Sequence, residues 1–160
     1  MGEEPKYTLN EAHTEFAKLA NGQVWKLLGK SDRSTEENEE MERATFASLY
    51  HWSYAGTETH HQRGEWLIAH VYTVLGEAEP ALKHAQRCLE ITEAHKRQME
   101  DFDIAYAYEG MARANASSGN FETAKKYLEL AKDAGEAIAD AESKEWFVSD
   151  LGGGAWYGVE

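Results

Sequence analysis

The chain has 160 residues, the length of one domain, and 42% apolar with 11% aromatic side chains supplies enough material for a core, which argues against wholesale disorder. A formal charge of −13, from 29 acidic against 16 basic residues with no run of Lys or Arg, repels phosphate backbones and anionic lipid, so nucleic acid and membrane surfaces are poor partners. Cys88 is the one cysteine, which excludes an intramolecular disulfide framework and a thiolate metal cluster; with no secretory signal in "MGEEPKYTLNEAH" and no apolar run of membrane-spanning length, the chain reads as cytoplasmic.

Two prolines and a near absence of strand-length alternation leave helical periodicity without a rival, so the sequence predicts an all-α fold. After an N-terminal tail over residues 1–7, one helical domain is expected over 8–151. Its first helix opens at "TLNE", with Thr8 as cap and Glu11 completing a capping box, and carries Phe16, Leu19, Ala20, Trp25 and Leu28 before Gly29 stops it. A second follows "KSDRST", with the acids of "EENEE" where the positive end of the helix dipole favours them, and runs through Ala44, Phe46, Ala47, Leu49, Tyr50 and Trp52 to Gly56. A third is expected from around Thr59 to the Gly76 cap, and a fourth from around Pro80, where a first-turn proline costs little. A fifth spans Gln98 to Ser117, Gly119 and Asn120 turn the chain into a sixth through "FETAKKYLELAKDAGEAIA", and a short seventh covers "ESKEWFVSDL". The glycine-rich tail, 152–160, is expected to be loose unless Trp156 and Tyr157 dock.

An internal repeat organises these helices. Aligning "VLGEAEPALKHAQRCLEI" with "SSGNFETAKKYLELAKDA" places Gly76 over Gly119 and Ala81 over Ala124, an offset of 43 residues. Stacked helical hairpins need a glycine at the tight turn and a small residue five positions later, where the second helix crosses the first most closely. The second copy also puts Tyr108, Met111, Ala112, Leu128 and Ala131 where the tetratricopeptide pattern calls for bulky and small residues in turn. The first copy keeps Ile68, Ala69 and Tyr72 but carries Ala85 and Cys88 at the later positions.

On these residues the stretch from 62 to about 139 resembles a tetratricopeptide-repeat (TPR) protein, and in particular small uncharacterised bacterial proteins of that type. Two features depart from the pattern: the offset exceeds the usual repeat length of about 34, and neither copy has the closing proline. The resemblance implies about three antiparallel TPR-like hairpins stacked in a short right-handed solenoid, plus a short C-terminal helix. It also implies a habit of binding peptides or proteins in a concave groove, and it carries no assigned chemistry and no cofactor.

In such repeats the first helix of each hairpin lines the concave side, which predicts a stripe of Arg63, Trp66, His70 and Thr73 on the third helix and of Phe102, Tyr106, Glu109 and Arg113 on the fifth. A purely structural face would show aliphatics, whereas these stripes mix aromatic, cationic and ionisable groups. The packing alternative is that Trp66 and Tyr106 rest on the neighbouring hairpin and that Glu109 and Arg113 form an ordinary i,i+4 pair.

The densest polar-aromatic stretch, "HWSYAGTETHHQRGEW", has no metal-binding spacing: His60 and His61 diverge by about 100° on a helix, and no HxxxH or HExxH is present. Cys88 sits among apolar neighbours as an inert buried thiol. "DLGGGAWYG" lacks the lysine and following helix of a phosphate loop, and no GxSxG elbow occurs.

The sequence therefore predicts a protein- or peptide-binding adaptor with groove candidates His51, Trp52, Arg63, Trp66, His70, Asp103, Tyr106, Glu109 and Arg113. Trp52, Trp66 and Tyr106 serve as anchors, and Arg63 meets an anionic segment. The alternative is a small-ligand binder or enzyme in which His51, His70, Asp103 and Glu109 supply acid–base groups. A third reading is self-association as a homodimer through Trp146, Phe147 or Trp156.

Overall fold

Several helix starts along this chain are set by side chains that satisfy N–H groups the helix itself leaves orphaned. In the computed structural model, which describes residues 2–4 and 6–159, Thr8 opens α1 (Leu9–Leu28). Its hydroxyl accepts the Glu11 N–H at 3.1 Å, while the Glu11 carboxylate accepts the Thr8 N–H at 2.7 Å. Ser34 and Glu37 repeat that box at the start of α2 (Thr35–Ala55). There Lys30 also donates to Glu37, which holds that carboxyl below its ordinary range. Of the two expected tails, Met1, Pro5 and Glu160 lie outside the described residues.

Five further helices follow: α3 (Glu58–Leu75), α4 (Ala78–Ala94), α5 (Asp101–Ser117), α6 (Phe121–Glu136) and α7 (Ala141–Gly152). The described residues contain no strand, so the fold is all-α. Gly76 and Gly119 both adopt the left-handed region, φ 76° and 78°, where a side chain would be strained, and each closes a hairpin as expected. Pro80 stands in the first turn of α4, where no intrahelical partner awaits its missing N–H. Two boundaries differ from the sequence reading. A 3₁₀ turn at Lys96–Gln98 precedes α5, which begins only at Asp101 with Asp103 accepting the Glu100 N–H at 3.0 Å. α6 ends at Glu136, because Ile138 turns into the core and Asp101 takes the Ala139 N–H at 2.9 Å.

Consecutive helices pack as antiparallel pairs. Across α1 and α2, His13 faces His51, the Ser48 hydroxyl donates to the Ala17 carbonyl at 3.1 Å, and Gln23 reaches Glu40 at 2.9 Å. Across α3 and α4, Gln62 meets Thr92 and Glu65 meets His84. α5 and α6 close through Tyr108 over Tyr127 and through Ala112, Ala116 and Ala124. Between pairs, α3 and α5 run parallel, since Arg63 meets Asp103 and Trp66 meets Glu109 further along both helices.

Small residues set how closely the axes approach. Ala81 and Ala124 are both fully buried, at 0% exposure. α5 is buried nearly all round by Ala105, Ala107, Ala112, Ala114 and Ala116, the pattern of a helix surrounded by others. In α1 the inward face is Ala17, Val24 and Leu27, and in α2 it is Met41, Thr45 and Ser48. Phe16, Leu19, Trp25, Phe46 and Tyr50, the conspicuous apolar residues of both helices, are exposed instead. Ala17 under Ser48 brings the two helices too close for a large ring between them, so the aromatics flank that seam. No helix is long and apolar enough to cross a membrane among the described residues.

α7 is held mainly by Phe147, fully buried against Gly135 of α6 and edge-on to Tyr106 at 4.9 Å between ring centres. A Cβ on Gly135 would stand 2.5 Å from Phe147 Cε1 and 2.7 Å from Cδ1. Gly135→Ala is therefore expected to displace Phe147 and to lower stability by about 1–3 kcal/mol, read as a lower urea midpoint with native helical content at zero denaturant.

Candidate functional site

An open trough of about 580 Å³ runs across one side of the molecule. α1 contributes Lys18, Asn21 and Trp25, α2 contributes Thr45, Ser48 and Trp52, α3 contributes the stretch from His60 to Leu67, α5 contributes Phe102, Asp103 and Tyr106, and α7 contributes Trp146 and Asp150. Four of the chain's five tryptophans lie on it. That concentration is the site's chief chemical character, because indole rings combine large apolar area with a negative face and one N–H donor.

Three of the four rings, Trp25, Trp52 and Trp66, pack on a neighbouring ring. Trp66 packs on Gly110, whose absent side chain leaves the indole room, and donates its Nε1–H to Glu109 at 2.8 Å. Trp25 and His70 stack on Trp66 with ring centres 6.2 and 4.9 Å away, and Tyr106 meets it edge-on at 5.3 Å. Trp52 stacks on His60 at 4.1 Å. The Tyr106 hydroxyl donates to the Asp150 carboxylate at 2.5 Å; burial first and that bond second push its pKa far up, so it stays a donor throughout the physiological range. Trp25 and Trp146 are the most open rings, at 48% and 64% exposure.

The charges are mostly spoken for. Arg63 makes a two-point pair with the buried Asp103, 2.8 and 3.1 Å, and its guanidinium lies 5.2 Å from the Phe102 ring centre. Asp103 also caps α5, and its backbone carbonyl accepts from Gln62, so α3 and α5 meet through a satisfied polar joint. Lys18, at the rim, pairs with Glu15 at 3.8 Å. His60 accepts the Thr57 N–H on Nδ1, and burial followed by the nearby Arg63 lowers its pKa. Burial lowers the pKa of His70 as well, which leaves both rings neutral at neutral pH.

Behind the trough, Glu109 and Arg113 form a buried ion pair, 3% and 6% exposed. Arg113 is also the latch of the C-terminal segment: it donates to the carbonyls of Asp150 at 2.7 Å and Ala155 at 3.3 Å, and it lies 4.1 Å from the Trp156 ring centre. Tyr157 donates to the Thr73 carbonyl at the end of α3 at 2.9 Å, and Val159 is buried with Leu128 and Ala112. The glycine-rich tail thus docks through Trp156 and Tyr157, outside the trough.

Of the nine residues singled out in the sequence, Trp52, Arg63, Trp66, Asp103 and Tyr106 line the trough together. Glu109 and Arg113 do not reach it, because α5 turns that part of its stripe toward Trp66 and the tail. His70 stands behind Trp66. His51 lies apart, its Nδ1 2.8 Å from that of His13 and its ring near Phe16 and Tyr50. The sequence reading missed Trp25, Trp146 and Asp150. Periodicity groups Trp25 with the apolar residues of its helix, and Trp146, singled out in the sequence only for self-association, lies on a helix outside the matching stretches. A buried charge also went unseen between α3 and α4, where Glu65 accepts from His84 at 2.6 Å and lies 3.5 Å from Arg87. Cys88 is buried, and its thiol is pushed well above its ordinary value, chiefly by burial. Among the described residues no group of three or more His, Cys, Asp or Glu converges as a metal site.

No family model, curated protein or solved structure matches the chain, so the reading of function rests on this geometry.

Removing Arg113 would leave the Glu109 carboxylate buried without its cation. Arg113→Met is expected to cost about 3–5 kcal/mol and to free the tail, seen as a lower denaturation midpoint together with faster proteolysis after residue 151. The neutral histidines give a pH signature. Because burial holds the pKa of His70 in the folded protein below the ordinary imidazole value of about 6.5, its contribution to stability is complete above that pH and is lost as pH falls through it toward the lower folded value. His60 acts in the same direction. Thermal midpoints are expected to drop on acidification below about pH 6.5, and His70→Phe, which keeps the stacked ring, should flatten part of that drop.

Proposed function

We propose that the protein is a TPR-like adaptor: hairpins stacked as a short right-handed solenoid, with a trough that binds an extended peptide or protein segment. The observation that carries this reading is the gathering of four tryptophans, a tyrosine and a phenylalanine along an open channel that crosses five helices. An exposed aromatic surface of that kind loses free energy only when a partner covers it. The solenoid part draws support from registers between first helices: Arg63 to Asp103, Trp66 to Glu109 and Tyr106 to Asp150 are separated by 40, 43 and 44 residues, close to the sequence repeat. The left-handed glycines at 76 and 119 and the buried alanines at 81 and 124 agree with it.

Acid–base catalysis has less behind it. His51 is bonded to His13, Asp103 to Arg63 and Glu109 to Trp66 and Arg113, and no hydrogen bond joins a histidine to a carboxylate in the trough among the described residues. An open channel also excludes water poorly, which weakens general-base chemistry.

The test is a random-peptide display selection on the wild-type protein, with enriched peptides then titrated against Trp25→Ala/Trp146→Ala. Both rings are exposed, so the double variant should keep its helical circular dichroism while affinity falls by about tenfold or more. Absence of any enriched peptide, or affinities indifferent to the double variant, would overturn the adaptor reading.

A further inference from the structure

Each cationic side chain on the trough already has an acid beside it. The Arg63 guanidinium is held at two points by Asp103, and Lys18 stands by Glu15. Burial lowers the pKa of His60 on the trough and of His70 behind it, so neither adds a fixed positive charge at neutral pH. Asp150 is different. Its carboxylate accepts only the Tyr106 hydroxyl, and no Lys, Arg or His nitrogen stands within ion-pairing distance of it among the described residues. Arg113 contacts the backbone carbonyl of Asp150 rather than its carboxylate, and that guanidinium is buried under the tail. The trough therefore offers one unneutralised negative charge beside indole faces, on a chain whose net charge is −13.

We infer that the segment bound in this trough is cationic: a peptide whose lysine or arginine side chains lie against Trp25, Trp66 and Trp146 and place a charged head on Asp150. This inference rests on the adaptor reading above and supplies the chemistry of the partner. Two independent attractions converge on such a ligand. A cation over an indole face is drawn by the ring quadrupole, most strongly for tryptophan and more strongly as water is displaced. A carboxylate already fixed by a tyrosine hydroxyl is oriented before the partner arrives, which limits the ordering cost of pairing. The long aliphatic stems of lysine and arginine cover apolar ring area that a short polar ligand would leave wet. An anionic segment meets the opposite situation: the charge of Arg63 is already offset by Asp103, and the segment approaches against the field of the whole chain. The sequence expectation that Arg63 anchors an acidic partner is replaced on that ground.

The experiment uses the full chain and peptides of one length on a glycine-serine background, bearing lysine and arginine, or glutamate, or glutamine at the same positions. Binding is followed by tryptophan fluorescence at low and at high ionic strength. The cationic peptide is expected to bind about tenfold tighter than the glutamine peptide at low salt, and the glutamate peptide not at all. Asp150→Asn, which keeps the shape and the tyrosine contact, should weaken the cationic peptide by about fivefold, and Trp146→Ala by about threefold or more. Glu122→Gln, an equal loss of charge on the exposed start of α6, should leave it unchanged. Tetramethylammonium should compete with the peptide where the uncharged tert-butanol does not. If Glu122→Gln weakens binding as much as Asp150→Asn, the attraction is only that of net charge and the inference fails. If the glutamine or glutamate peptide binds as tightly as the cationic one and remains sensitive to Trp146→Ala, the inference fails while the adaptor reading stands. If none of these peptides and none from the display selection binds, both fall.

Discussion

The chain Trp66–Glu109–Arg113 is the contact on which the rest of this molecule turns. Burying a carboxylate and a guanidinium is costly unless each finds full partners, and here the partners come from three places: the indole of α3, the backbone of α7 and the tail beyond it. One satisfied network therefore fixes the orientation of a groove ring, the seam between α3 and α5, and the resting place of the C-terminal segment. A change at Glu109 or Arg113 is felt at the trough without either residue touching what lies there.

A second polar joint, Arg63 with Asp103 and Gln62 with the Asp103 carbonyl, pins the other end of the same two helices. Around the joints, Tyr106 meets Trp66 edge-on, and the buried alanines of α5 with Gly110 under Trp66 allow close approach but give little specificity of register. The polar contacts supply that register: sliding α5 by one residue would orphan several buried groups at once. The aromatic surface is thus carried on a stiff base, and what it presents is decided by which face each helix is forced to turn outward.

The sequence already contained most of the architecture. Capping boxes at Thr8 and Ser34, the left-handed corners at Gly76 and Gly119 and the small residues at 81 and 124 are local requirements, satisfied or violated within a few positions, and they locate six of the seven helices to within a few residues. The later start of α5 follows a local cap of Asp103 on Glu100, whereas a contact distant in sequence moved the end of α6: Asp101 reaches Ala139, and no local pattern announces it. The inward faces of α1 and α2 were harder to read, because close approach selected Ala17 and Ser48 over the larger apolar residues nearby.

For the site, periodicity grouped Arg63 with Trp66 and Phe102 with Tyr106, since residues three or four apart share a helix face whatever the fold does next. It could not tell that the same stripes bend out of the trough at His70, Glu109 and Arg113, nor that Trp25 and Trp146, 121 positions apart, look into one channel. Helix period, caps and turns are properties of neighbouring residues, and the sequence by itself determined them. Which charges cancel, which ring stays open and where the tail comes to rest depend on distances between separate helices, and only the packing of those helices decided them.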